Sequence, residues 1–243
     1  MEGDFREILK AGSSEIGVEL DDRQMAAMEE YKNVLLAENE KYNLTGIKDT
    51  LGIAIKHFVD SLTLLKVEGL KDCGSFIDVG TGAGFPGLVL AIMLPGTEGT
   101  LLDSVGKKIG FVNKAAAILG LNNVKGIIGR AEDLARDKTH RERYGLSVAR
   151  GVSSVSASAE YCIPFLRKGG QFVAMKGPGV DAELEDGEAA AFAMGAKIRA
   201  VQKLDLPYAM GERNLVVAIK NSPTPARFPR RAGEAAKRPI TRN

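Results

Sequence analysis

Four glycines fall within eight residues at Gly80, Gly82, Gly84 and Gly87, directly after a short apolar run: residues 76–87 read FIDVGTGAGFPG, and the apolar pattern resumes at once as LVLAIML. A strand that breaks into glycines and re-forms as a helix is the turn by which an α/β sheet brings backbone amides close to a ligand. Glycine allows the approach because it carries no Cβ. The turn therefore calls for parallel strands joined by crossover helices, with any ligand at the carboxyl ends of the strands.

The flanking sequence agrees. From Ser75 onward short apolar segments alternate with helical patterns: SFIDV, then 88–94; TLLD, then 105–119 with Ser104 as a candidate cap; VKGIIG, then a short helix around Glu132; LSVAR, then 153–166; GQFVAMKG, then 180–192. Two further strands, KIRAVQKLDLP and ERNLVVAIK, read as an antiparallel pair at one edge. Before Ser75 the chain reads as helix, with apolar residues at Met25, Met28, Leu35 and Leu36 between 21 and 42, and at Leu51, Ile55, Phe58, Leu62 and Leu65 between 49 and 65. The expected organisation is a helical cap (1–72), a Rossmann-like domain with a seven-stranded, mostly parallel sheet (73–221) and a Pro-rich basic tail (222–243), extended and mobile unless bound.

Composition bears on setting and partners. The longest apolar run, 88–94, is far too short to span a bilayer, and MEGDFREILK lacks a signal-peptide pattern. Cys73 and Cys162 cannot build a disulfide framework or a metal site, so a cytoplasmic setting without metal is expected. Residues 1–50 carry twelve acids against six bases, whereas 222–243 carry six bases against the single acid Glu234. A basic end on an acidic body points to a local anionic partner.

Two ligands fit the glycines. Gly82-x-Gly84-x-x-Gly87 matches the dinucleotide fingerprint. The run Asp78-x-Gly80-x-Gly82-x-Gly84 instead resembles the first motif of class I S-adenosylmethionine-dependent methyltransferases. Asp103, 23 residues after Gly80, can accept both ribose hydroxyls of either ligand, or share a helix cap with Ser104. Ala131-Glu132 follows the third strand, where such methyltransferases hold adenine. A nicotinamide enzyme needs a hydride-transfer site, and the chain offers only His57 and His140 and no Tyr-x-x-x-Lys. The methyltransferase reading is preferred.

In order, NLTGIKD (43–49), HFVDSL (57–62), FIDVGTGAGFPGL (76–88), LLDSVGKKIGF (101–111), RAED (130–133), ARG (149–151), AMKG (174–177) and PRRAGEAAKRPI (229–240) resemble the bacterial glucose-inhibited division protein B family. The resemblance implies a 16S rRNA methyltransferase acting on guanine N7, with Gly80, Phe85, Ala131, Glu132 and Arg150 at the cofactor. Gly151 departs from the family pattern beside Arg150. Guanine N7 carries an in-plane lone pair and no proton, so no general base is needed, and the lack of an evident catalytic His or Cys is expected. Adenine-N6 enzymes show Asn/Asp-Pro-Pro-aromatic after the fourth strand, where this chain reads ARGVS. Cytosine-C5 enzymes need a nucleophilic Cys at a strand end; Cys162 falls within a predicted helix and Cys73 precedes the first strand.

His57 and Asp60 share one helix face just ahead of the glycine turn. They are either a hydrogen-bonded pair at the cap–sheet junction or part of the base pocket, with Asn43 nearby. Lys107, Lys108 and Lys176, with Arg227, Arg230, Arg231, Lys237 and Arg238 of the tail, are candidates for RNA phosphates. N7 lies in the narrow major groove of A-form RNA, so the target base must sit in a loop or be extruded. Removing 222–243 is expected to weaken RNA binding and leave cofactor affinity intact. The reading implies a monomer acting on 16S rRNA or the small subunit. A nicotinamide oxidoreductase and a non-catalytic RNA-binding factor on the same fold are the alternatives.

Overall fold

The computed structural model describes residues 3–242. The chain opens with α1 (Phe5–Glu15) and α2 (Asp22–Tyr42). The start of α2 is fixed reciprocally: Asp21 Oδ1 accepts from Gln24 N at 2.7 Å, and Gln24 Oε1 accepts from Asp21 N at 3.0 Å.

The apolar stripe at 49–65 predicts one regular helix, and the structure differs. Short α3 (Thr50–Ile53) passes into a π-helical turn at Ala54–Val59, then into α4 (Asp60–Leu62) and a 3₁₀ turn at Thr63–Lys66. Ile55, Phe58 and Leu62 are all fully buried. The widened turn keeps the stripe on the core while re-aiming the polar residues between, His57 and Asp60 among them.

The remaining elements alternate: β1 (Ser75–Val79), α5 (Gly87–Met93), β2 (Glu98–Asp103), α6 (Gly106–Ile118), β3 (Val124–Ile128), α7 (Ala131–Leu134), β4 (Tyr144–Arg150), α8 (Val155–Cys162), β5 (Leu166–Lys176), α9 (Leu184–Ala193), β6 (Ala196–Asp205), β7 (Glu212–Lys220) and α10 (Glu234–Lys237). The sheet has seven strands in the order β3-β2-β1-β4-β5-β7-β6. The first five run parallel, and β7 lies antiparallel between β5 and β6. The order reverses between β1 and β4, which places the ligand crevice beyond their carboxyl ends.

Strand alternation divides the core. Phe76, Val148 and Val217 pack with the N-terminal helices through Leu9, Met28, Leu35 and Phe58. Their neighbours Ile77, Ala149 and Val216 face the opposite layer, with Phe165, Phe172 and Phe228. The period of two on β1, β4 and β7 is that of strands covered on both faces.

Two expectations are corrected. Ser104 does not cap α6: the residue ahead of that helix is Val105, whose amide donates to Asp103 Oδ1 at 2.9 Å. The strand-ending carboxylate reaches the amide first. The tail is not a mobile appendage either, because Thr224, Phe228 and Ala235 are buried. Arg141 donates to Thr224 O at 2.8 Å and Phe228 O at 2.9 Å, and Ser156 Oγ donates to Ile240 O at 2.6 Å. Composition marks the segment as polar and proline-rich, but Phe228 and Ala235 anchor it to the core.

Candidate active site

The glycine turn is tied together by carboxylates. Asp78, fully buried at the end of β1, accepts at Oδ2 from Thr81 Oγ1 (2.6 Å) and Gly87 N (2.9 Å). Its Oδ1 is buried with no partner among the described residues, and burial raises its pKa to about 6. Asp103, ending β2, accepts at Oδ2 from Gly82 N at 3.0 Å, and Lys108 Nζ stands 3.7 Å from the same oxygen. Gly84 N donates to Thr81 O at 2.9 Å.

This arrangement separates the two candidate ligands. A pyrophosphate needs free amides at the fingerprint glycines, yet the amides of Gly82, Gly84 and Gly87 are all engaged inside the turn. Two of them face carboxylates that would repel an anion. A ligand carrying ammonium and sulfonium charges suits the same carboxylates, and the unpartnered Asp78 Oδ1 offers it a buried acceptor. S-adenosylmethionine fits and a dinucleotide does not.

The glycines are not equivalent. Gly84 has φ +92°, and a Cβ there would stand 2.5 Å from Leu88 Cδ1 and 2.8 Å from Tyr31 Oη, both on buried side chains. Gly82 has φ +59° and nothing nearer than 4.0 Å. We expect Gly84→Ala to lower stability by about 2–3 kcal/mol, and Gly82→Ala by about 1 kcal/mol. Urea unfolding of the two variants checks the order.

A cleft of about 210 Å³ opens beside the turn, lined by residues that include Gly80, Asp103, Ser104, Ala131 and Glu132. Val152 leans over Gly80, its Cγ2 2.7 Å from where a Cβ would be. Tyr161 and Ala236 complete the wall.

Phe85 and Arg150 belong to a second group at the other side of the turn. The Phe85 ring is stacked between His57 (centroids 4.7 Å, 15°) and Tyr31 (4.7 Å, 20°), and Tyr31 Oη donates to Ala83 O at 2.5 Å. The Arg150 guanidinium lies 5.4 Å from the Phe85 centroid and donates to Asp60 Oδ2 at 2.9 Å. Arg213 donates to both Asp60 oxygens, at 2.5 and 2.9 Å. His57 Nε2 is 2.8 Å from Thr45 Oγ1, and Arg150 lies 3.5 Å from its Nδ1.

Burial first, then the Arg150 charge, lowers the His57 pKa to about 4, so the ring is neutral at pH 7. Its folded pKa lies below the unfolded 6.5, so between about pH 6.5 and 4 the unfolded chain binds a proton the folded one refuses, and stability falls with pH. Asp78 acts oppositely: its raised pKa gains stability as pH falls through about 6 towards 3.8. We expect His57→Gln to abolish the loss between pH 6.5 and 4, leaving a curve that rises relative to wild type. Urea titrations across that range test it.

His57 and Asp60 are thus joined through Arg150. Asn43 is placed differently. It ends α2 with φ 49° and is exposed, while the side chain bonded to His57 is that of Thr45. Lys176 donates to Ser153 O and pairs with Glu183, each at 2.9 Å. Arg230 is engaged by buried Glu160, whereas Lys107, Arg227, Arg231, Lys237 and Arg238 are exposed. Among the described residues no group of three or more His, Cys, Asp or Glu could hold a metal, and no helix is long and apolar enough to cross a membrane.

The family model described as rRNA small subunit methyltransferase G matches residues 24–216. A protein called ribosomal RNA small subunit methyltransferase G from Alkaliphilus metalliredigens is 41% identical over 233 residues, covering 96% of this chain and 98% of that one. One of the same name from Pelotomaculum thermopropionicum is 42% identical over 234 residues, with coverage of 96% and 98%. The chain belongs to the rRNA small subunit methyltransferase G family. It is a methyltransferase, and its methyl donor is S-adenosylmethionine. Solved structures agree on the fold: TrmN from Thermus thermophilus (TM-score 0.51, 20% identity, 67% of this chain and 48% of that) and the Methanococcus jannaschii fibrillarin pre-rRNA processing protein (0.51, 18%, 64% and 70%).

Tyr31, Thr45 and Arg213 escaped the sequence reading. Tyr31 had a signal, since it continues the Met28–Leu35 stripe of α2. Arg213 had none, because its partner lies 153 residues earlier.

Proposed function

We propose that this chain transfers the methyl group of S-adenosylmethionine to N7 of one guanine in 16S rRNA, as a cytoplasmic monomer acting on the rRNA or the small subunit. The observation that carries the reading is the chemistry beside Phe85: a ring stack, a neutral imidazole held by Thr45, and two guanidiniums that take up the one carboxylate of the group, Asp60. Methylation of a bare in-plane lone pair needs positioning rather than proton removal, and alignment alone can supply about 7–11 kcal/mol.

S-adenosylmethionine, when bound, supplies an electrophilic methyl on a sulfonium. Asp103 would hold the ribose hydroxyls, Ala131 and Glu132 the adenine, and Asp78 with the turn from Gly80 through Gly82 and Gly84 to Phe85 the amino-acid end. Asp60 fixes Arg150, whose guanidinium can donate to guanine O6 and leave N7 free. Tyr31 and His57 hold the Phe85 ring, and Thr45 fixes the imidazole. Residues 1–72 serve as the cap that contributes Tyr31, Thr45 and His57, and 73–221 as the catalytic domain. Thiol chemistry finds no support: burial raises Cys73 to about 11 and also raises buried Cys162. Lys107, Lys108, Lys237 and Arg238 are placed on segments bordering the cleft and suit salt-sensitive phosphate contact.

The test is incubation with methyl-labelled S-adenosylmethionine and small-subunit particles lacking the modification, followed by chain cleavage at N7-methylguanine. Label at one cleaved guanine is expected. Label at an uncleaved position overturns the choice of atom, and no label on particles or free rRNA favours a binding factor.

A further inference from the structure

The segment after β7 reaches the cofactor cleft. Arg230 anchors it from below: its backbone N–H donates to Glu160 Oε1 at 2.7 Å, and its guanidinium grips both Glu160 oxygens. Glu160, on α8, is almost wholly buried. On the far side Ile240 O is held by Ser156, also on α8. Between these anchors the chain meets the cleft. Gly233 N–H donates to Glu132 Oε1 at 2.8 Å, which is the one hydrogen bond to that carboxylate among the described residues, and Ala236 lines the cleft together with Glu132 and Asp103.

On the cofactor placing above, Glu132 would be the acceptor for the exocyclic amine of the adenine. A free glutamate samples several rotamers, and fixing it lowers the entropic cost of binding. One oxygen occupied by Gly233 N–H leaves the other for the ligand. We propose that residues 230–240 form the nucleobase wall of the cofactor site, with Gly233 setting Glu132 and Ala236 closing the cleft, so that adenosine binding depends on the docking of this strap. The inference rests on the placing of S-adenosylmethionine in this cleft. It reverses the expectation that the C-terminal segment matters to RNA and not to cofactor.

Two measurements on the full chain test it, both with S-adenosylhomocysteine and neither relying on turnover. In hydrogen exchange followed by mass spectrometry, the ligand should slow exchange at 231–238 several-fold as well as at the glycine turn. In calorimetry, Ala236→Trp, a change at an exposed position, should weaken binding about tenfold or more while the thermal midpoint of the free protein stays put. Protection confined to the glycine turn, with Ala236→Trp binding as wild type, overturns the proposal and leaves the proposed function standing. Absence of protection at the turn itself, with no heat of binding, would instead remove the cofactor placement on which both depend.

Discussion

Replacing Asp60 with alanine is expected to cost about 3–5 kcal/mol of folding free energy, read as a fall in the urea midpoint at unchanged slope. Its carboxylate is fully buried and receives hydrogen bonds from two guanidiniums, three in all. Without it Arg150 and Arg213 are left as neighbouring cations with side chains only 16% and 18% exposed. The charges then repel each other where water screens them poorly. A second substitution, Arg213→Met, should recover part of the loss by removing one of them, and no recovery would argue against mutual repulsion as the cause. Methyl transfer by Asp60→Ala should also suffer, because Arg150 loses the partner that aims it past Phe85.

Arg230→Ala should destabilise by a comparable amount, about 3–5 kcal/mol. The carboxylate of Glu160 has 1% of its side chain exposed, and without the guanidinium it is an uncompensated buried charge. The loss should persist at 1 M salt, since such an interior pair is screened far less than a surface contact. Arg231→Ala, at an exposed neighbour, should stay within about 0.5 kcal/mol of wild type. Were both arginines phosphate contacts only, both variants would keep the wild-type midpoint and lose RNA affinity alike.

The contrast between Arg230 and Arg231 shows where sequence stops informing. Both stand in one run of bases, and nothing local tells which meets a carboxylate 70 residues earlier. The strand–helix alternation was legible because each element carries its own period, and the sheet followed from it. The glycine turn was legible as the passage from β1 into α5. Its internal division was not, since Gly84 is set by Leu88 and Tyr31, and Gly82 by the Asp103 carboxylate. The π turn at Ala54–Val59 was hidden for a different reason: apolar residues spaced by three and four fit a widened turn as well as a regular one.

The position of β7 has a consequence for how the protein comes into being. This strand is inserted between β5 and β6, yet it is the last strand to be synthesised, and it carries Arg213. A growing chain therefore exposes a finished glycine turn and a full set of parallel strands well before Asp60 can meet its second guanidinium. The Asp60 cluster is completed by a contact spanning 153 residues, among the costliest loops the chain must close. The Arg150–Asp60–Arg213 cluster is in this sense a late event of biogenesis: nascent chains that have not yet released β7 lack it, and the cleft beside the glycine turn waits longer still, for Gly233 and Ala236.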